Sequence, residues 1–478
     1  MENSLFDELL QEIFRKLPPS SSSSSSISLV SKRWLHLYRS SKTSLSLRFN
    51  NHNNHFSFIP SFISFLTQHP SLSYLSITLL SSSTTITPLF LSAISSSSFS
   101  SKLLSLKFIA SPVPLSSIIS LSNSCTQLKS LSITVSRPIF LNWVLFFPLL
   151  KELSIIFCYI DDAEDSSFSD FDSKELIFQN GVFDKEIIGL ESLCFEGIRG
   201  DDWGIDWLWK RCKKLKKLKL LSCQGIGGSY SSFVQCLQEI QQIELKTCRS
   251  IVDGVLLKLA QHCISLESLL VHDGGSREGL LYFISNCNSN NLHKLDFRLP
   301  MDLENNHFFA MSLNFRCLSI LRLQSCCLVT GEGLKALGEA VNNGLQELAL
   351  INCDVVEREK GLLATLGQQL RQLRKLDLSY NEMLFDKDFI SMLVSCVHLV
   401  DLKVRGCKGL TNCALVTMVR SCKRLENVDI MQCLGIESEA IEMFVKNCSC
   451  LRRMEVEGTK LTDAAKMWAS NKFIELVV

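Results

Sequence analysis

The chain is short of signals for catalysis, export and membrane insertion. None of G-x-x-x-x-G-K-[ST], H-E-x-x-H or G-x-S-x-G occurs in its 478 residues, which removes the phosphate loop, the helical zinc-protease site and the nucleophile elbow. A glycine cluster at Gly225-Ile-Gly-Gly228 has no phosphate-loop lysine after it, and the nine histidines form no cluster. We therefore nominate no catalytic residue, metal ligand or cofactor. An excess of basic charge is also missing: 49 Lys+Arg face 48 Asp+Glu, for a net +1. That balance argues against a direct nucleic-acid binder. Twenty cysteines are present, yet no C-x-x-C pair or Cys/His set with zinc-finger spacing occurs. The N-terminus is acidic, without a secretory n-region or h-region. The one apolar run long enough to span a membrane, Ile139 to Ile160, carries Lys151 and Glu152 at its middle, where charge is costly. No membrane association is expected. Reduced thiols in the cytoplasm or the nucleus, or both, fit these absences.

What the chain has in abundance is one repeated unit. Cys396-Val-His-Leu399-Val-Asp-Leu402-Lys-Val404-Arg-Gly-Cys407 has the pattern C-x-x-L-x-x-L-x-V-x-x-C. Its leading apolar residue recurs at Leu215, Ile240, Leu266, Leu292, Leu318, Leu345, Leu373, Leu399, Leu425 and Leu451, in steps of 25 to 28. L-x-x-L-x-L-x-x-N/C at a fixed period in the twenties is the leucine-rich-repeat signature. Thirteen of the twenty cysteines keep this phase: they close the strand motif or stand three residues before a leading leucine, where a thiol acts as a small buried group. Val252-Asp-Gly, Thr330-Gly-Glu, Thr411-Asn-Cys and Thr462-Asp-Ala follow strand motifs with residues that can cap a helix. The expected fold is α/β, a curved solenoid with parallel strands on the concave face and helices on the convex face. Over residues 44–189 the repeats are irregular, as in Leu72-Ser-Tyr-Leu-Ser-Ile77 and Leu150-Lys-Glu-Leu-Ser-Ile155; over 190–478 they settle near 26 residues. Leu45, Leu47 and Phe49 alternate as a first strand would, and Phe473 to Val478 reads as a last one.

Residues 1–43 are different. Leu5, Leu9, Leu10, Ile13, Phe14 and Leu17 recur at helical spacing, Ser4 and Asp7 have capping-box spacing, and Pro18-Pro19 ends the helix. After a serine run, Ser20 to Ser26, a second helical pattern carries Ile27, Leu29, Val30, Trp34, Leu35 and Leu37. Together these elements resemble an F-box, whose pattern is roughly L-P-x-E-[IL]-L-x-x-I-F-x-x-L followed by S-L-V-[CS]-[KR]-x-W. Phe6 stands in place of the usual proline, and the serine run replaces the usual link. The repeats in turn resemble the cysteine-containing, plant-type leucine-rich repeats that commonly follow an F-box. The resemblance implies docking on a Skp1-type adaptor, and through it a cullin, by Leu5, Leu9, Leu10, Ile13, Phe14, Leu17, Leu29, Val30 and Trp34. It further implies a substrate receptor of a ubiquitin ligase that performs no bond chemistry itself. A plain amphipathic hairpin capping the solenoid end is the simpler alternative, and a repeat scaffold or inhibitor without a ligase is the alternative function.

Where a target protein would bind is set by strand geometry. The x positions of L-x-L point away from the core, and they or their neighbours include Lys217, Lys219, Lys246, His272, Lys294, Arg298, Arg322, Lys375, Lys403 and Arg405. Acidic residues interleave, and Asp429, Glu455 and Glu457 turn the far end acidic. This wall is the candidate site for a target of unknown identity, although exposed strand positions must be polar in any case. An acidic insertion, Asp161 to Glu175, is either solvated chain or a loop over the working face. Lys210 to Lys219 holds seven basic residues in ten, the composition of a nuclear-import signal, although Leu215 and Leu218 place it inside a repeat.

Overall fold

The computed structural model describes residues 6–17, 26–27, 29–49, 59–80, 86–158, 187–202, 204–228, 230–287, 291–342 and 344–478. The acidic insertion, Leu5 and most of the serine run lie outside these. The chain divides into two units, one of Met1–Leu218 with Cys223–Cys236 and the other of Lys219–Ser222 with Leu237–Val478.

The first unit begins with two helices, α1 (Asp7–Lys16) and α2 (Lys32–Ser41), with helical residues at 26–27 and 29–30 between them. Ser31 caps α2 by accepting from the Trp34 amide at 3.2 Å. Asp7 opens α1, where a carboxylate suits the helix dipole, and pairs with Arg33 at 2.5 Å. Ser4, its expected capping partner, is not among the described residues. Leu10, Phe14, Ile27, Leu37 and Tyr38 form a small core, with Trp34 half-buried against it. Phe14 lies edge-on to both Trp34 and Tyr38, at 5.5 and 5.8 Å between centroids. The helices then give way to parallel strands. Ser44–Phe49, Tyr74–Leu79, Ser105–Ile109, Ser130–Ser136, Glu152–Cys158 and Ser192–Glu196 pair in sequence. The apolar run around Lys151 is thus a short 3₁₀ turn and a strand, and among the described residues no helix is long and apolar enough to cross a membrane.

The second unit repeats one plan from Gln242–Lys246 to Glu475–Val477, each strand pairing in parallel with the next. Within each motif the leucines are buried: Leu399, Leu402 and Val404 are wholly inaccessible. Parallel strands sit about 4.8 Å apart and packed helices about 8–10 Å apart, so the strand side of this unit is the shorter, inner one. Just past each strand from Gln242–Lys246 to Asn427–Asp429 one residue takes a left-handed backbone: Thr247, Asp273, Leu299, Ser325, Asn352, Tyr380, Gly406 and Gln432.

Hydrogen bonding explains the phased cysteines. The thiols of Cys248, Cys353, Cys407 and Cys433 donate to the carbonyls of Leu220, Leu323, Leu378 and Val404, one repeat earlier, at 3.0–3.6 Å. The Val404 carbonyl also accepts from the Cys407 amide at 3.2 Å, so the thiols add donors to buried carbonyls, whose unmet hydrogen bonds are costly. In the one repeat with asparagine there, Asn381 does the same to Leu350 and Leu378 and accepts from the Cys353 amide. A second column lies at helix ends, where Cys263 and Cys448 donate to Ile240 and Leu425. The expected helix caps hold at Thr411 and Thr462. Asp253 instead accepts from the Ser276 amide in the next repeat, tying neighbours together.

Candidate functional site

The described residues between 6 and 34 expose far more apolar surface than their own core requires. Leu10 and Phe14 are 1% and 5% exposed and belong to that core, whereas Leu9 is 53% and Leu29 86% exposed. Phe6, Ile13, Leu17 and Val30 are exposed as well. The helix period explains the division. Leu10 and Phe14, four apart, share the inward stripe, while Leu9 and Ile13, each one residue earlier, lie about 100° from them, and Phe6 and Leu17 flank the helix ends. The nine residues read from sequence as one docking surface therefore separate. Leu9, Ile13, Leu17, Leu29 and Val30 face solvent, Leu10 and Phe14 support them from within, Trp34 lies between, and Leu5 falls outside the described residues. Exposed apolar groups grouped in this way mark an interaction surface more often than chance exposure.

The ten basic candidates lie on or just past strands, as their alternation implies. Lys217 belongs to the first unit and the others to the second. Their charges are largely spent on neighbours. Glu244 takes Lys219 and Lys246 at 2.7 and 2.9 Å. Burial works to raise the Glu244 carboxyl, but hydrogen bonds and charge from the two lysines prevail and hold it below its ordinary value. Asp296, 2% exposed, takes Arg298 at 2.8 Å and Arg322 at 3.8 Å. Arg322 reaches onward to Glu347 and Asp377, and Lys375 also approaches Glu347. Arg405 bridges Asp429 and Glu455 at 2.9 and 2.7 Å. Only Lys217, His272, Lys294 and Lys403 of the ten have no ion pair among the described residues. The strand face is thus a cross-linked zwitterionic floor rather than a basic middle running to an acidic end. Two shallow depressions of about 110 and 360 Å³ open on it around Asp401 and Lys403. Burial, outweighing Lys403 and Lys375, raises the Asp401 carboxyl above its ordinary value.

A larger groove, about 510 Å³, lies at the edge where the strands begin and is lined by Gln346, Arg374, His398 and Arg424 among others. Sequence reading missed it because it sought charge inside L-x-L. Its signal was available in the residues immediately before and after each leading leucine.

Comparison with known families matches residues 3–42 to the F-box domain. Among solved structures, the chain is similar to one in the Rad7–Elc1 complex of yeast, at 15% identity and TM-score 0.45, covering 98% of this chain and 92% of that one. It is also similar to the leucine-rich-repeat protein LegL7 of Legionella pneumophila, at 14% identity and TM-score 0.38 over 54% and 90% of the two chains. A TLR13 chain in complex with ssRNA13 gives 15% identity and TM-score 0.42 over 82% and 60%.

Proposed function

We propose that this chain, in which an F-box domain precedes leucine-rich repeats, is the substrate-recognition subunit of a Skp1–cullin–F-box ubiquitin ligase. The observation that carries the reading is the solvent-facing stripe of Leu9, Ile13, Leu17, Leu29 and Val30 on helices whose own core is already complete. A helical pair that merely capped the first repeat would turn such side chains inward. Fully burying one leucine contributes roughly 1.5–3 kcal/mol, so even partial coverage of five such groups by an adaptor supplies several kcal/mol.

On this reading the chain makes and breaks no bonds. The F-box helices hold the adaptor and, through it, the cullin. The repeats hold a target protein, and the assembly raises the local concentration of target lysines near the charged ubiquitin carrier. Action in the cytoplasm or nucleus belongs to the same proposal.

The test is co-expression of the full chain with a Skp1-type adaptor and a cullin, followed by size-exclusion chromatography. A ternary peak supports the ligase subunit. A folded chain eluting apart from both partners would favour the repeat scaffold instead.

A further inference from the structure

We infer that the edge groove of the second unit binds an extended acidic peptide segment, with Arg374 and Arg424 as its charge anchors. The four arginines on or beside the strand face, Arg298, Arg322, Arg405 and Arg453, each have a carboxylate partner within the chain. Arg374 and Arg424 are both exposed and have no side-chain partner among the described residues. The one carboxylate lining the groove, Glu426, is held by Arg452 at 3.3 Å. Two guanidinium groups are therefore left uncompensated in a concave site, where their fork geometry suits carboxylates.

The backbone sets the spacing. Gln346, Arg374, Val400 and Glu426 stand at one register: the Arg374 amide donates to Gln346, that of Val400 to Arg374, and that of Glu426 to Val400, at 2.8–2.9 Å. Gln372, His398 and Arg424 form the adjoining column, each one residue before a leading leucine, at intervals of 26. At about 4.8 Å per strand, Arg374 and Arg424 lie roughly 10 Å apart along the groove. An extended chain advances about 3.3 Å per residue. The fitting ligand thus places acidic side chains about three residues apart, as in Glu-x-x-Glu, while the Gln346, Gln372 and His398 side chains offer hydrogen bonds to its backbone. That the segment belongs to a ubiquitination target rests on the ligase reading; its binding does not.

Fluorescence anisotropy with the full chain tests this. The probe is a fluorescein-labelled octapeptide, Gly-Ser-Glu-Ser-Gly-Glu-Ser-Gly, with a control in which both Glu are Lys. Saturable binding of the Glu peptide alone is expected, weakening as salt rises. Arg374→Glu/Arg424→Glu should weaken it at least tenfold, whereas Arg420→Glu, on an exposed helix face, should not. Circular dichroism and thermal unfolding confirm that each variant is folded. No saturation at low salt would overturn the inference, as would equal loss in Arg420→Glu. Tighter binding of a single-stranded oligonucleotide, lost in the same double variant, would reassign the groove to nucleic acid. Leu9→Asp/Val30→Asp should keep peptide affinity, so failure of adaptor capture and failure of the groove are distinguishable.

Discussion

Asp296 is the most deeply buried charge on the strand face among the described residues, and Asp296→Asn isolates its contribution. Its carboxylate accepts from Arg298 Nε and Nη2 at 2.9 and 2.8 Å in a fork, and lies 3.8 Å from Arg322 Nε. The substitution keeps the volume, removes the charge and leaves two arginines facing each other across adjacent strands. Removing one partner of a fully buried pair costs about 3–5 kcal/mol. Here Asp296 is buried but the arginine side chains are 36% and 30% exposed, so water recovers part of their solvation. A cost of about 2 kcal/mol follows. For a unit of this size that is roughly 4–8 °C in Tm by calorimetry. Because repeats couple mainly to their neighbours, amide exchange should accelerate most in strands Lys294–Arg298 and Ile320–Gln324. A double-mutant cycle with Arg298→Gln should return a coupling of at least about 1 kcal/mol. A variant within about 0.5 kcal/mol of wild type, or a cycle with no coupling, would refute the view that the strand-face charges hold one another.

Thiol chemistry should sort the cysteines by burial. Iodoacetamide at pH 8 should label the exposed Cys317, Cys327, Cys413 and Cys450 in the native chain. Cys396 and Cys422, pushed up to about 12 by burial, should react only on unfolding; rapid native labelling of either would contradict the buried column. Asp401→Asn should stabilise the chain near pH 7, because burial, first among its causes, raises the native carboxyl. The charged form is therefore penalised in the native state. That penalty sets in as pH rises from the ordinary carboxylate value, about 3.9, through the raised native one, so urea midpoints of variant and wild type should converge in acid. Equal midpoints at pH 7 would count against it. Gly225→Ala should cost about 1–3 kcal/mol, since a β-carbon there would collide with the backbone of Arg199 and Gly200. A variant as stable as wild type would show that this loop can shift.

That collision also explains the glycine cluster, which reads in sequence as a weak loop motif and in structure as a close approach between successive repeats. Much of the architecture was legible because the repeat imposes it at every step: Leu402 opposes Leu376 and Val428 in adjacent strands, as equal phase requires. Leu45-Ser-Leu47 does lie in a strand, and Glu475–Val477 does close the array. Two things were not legible. On α1, Leu9 beside Leu10 and Ile13 beside Phe14 make one broad apolar arc, and only the position of α2 decides which stripe is covered. On the strand face, alternation identified the outward charges but not their partners. Several partners come from other repeats, as with Arg405 and Glu455, 50 residues apart, while Lys246 and Arg298 pair within their own strands. Sequence therefore suggested a basic middle and an acidic end where the fold makes a neutralised face, and it passed over Arg374 and Arg424, which have no side-chain partner among the described residues.

The central claim is a division of labour between the outward stripe of the F-box helices and the repeats. Calorimetric titration of a purified Skp1-type adaptor into the full chain tests it directly. Wild type and Arg374→Glu/Arg424→Glu should bind with equal affinity. Leu9→Asp/Val30→Asp, which puts charge on the exposed stripe and leaves Leu10 and Phe14 in place, should lose about 2 kcal/mol or more, roughly 30-fold. Adaptor binding that ignores the stripe variant, or a folded wild-type chain that gives no binding heat at any temperature tried, would contradict the account.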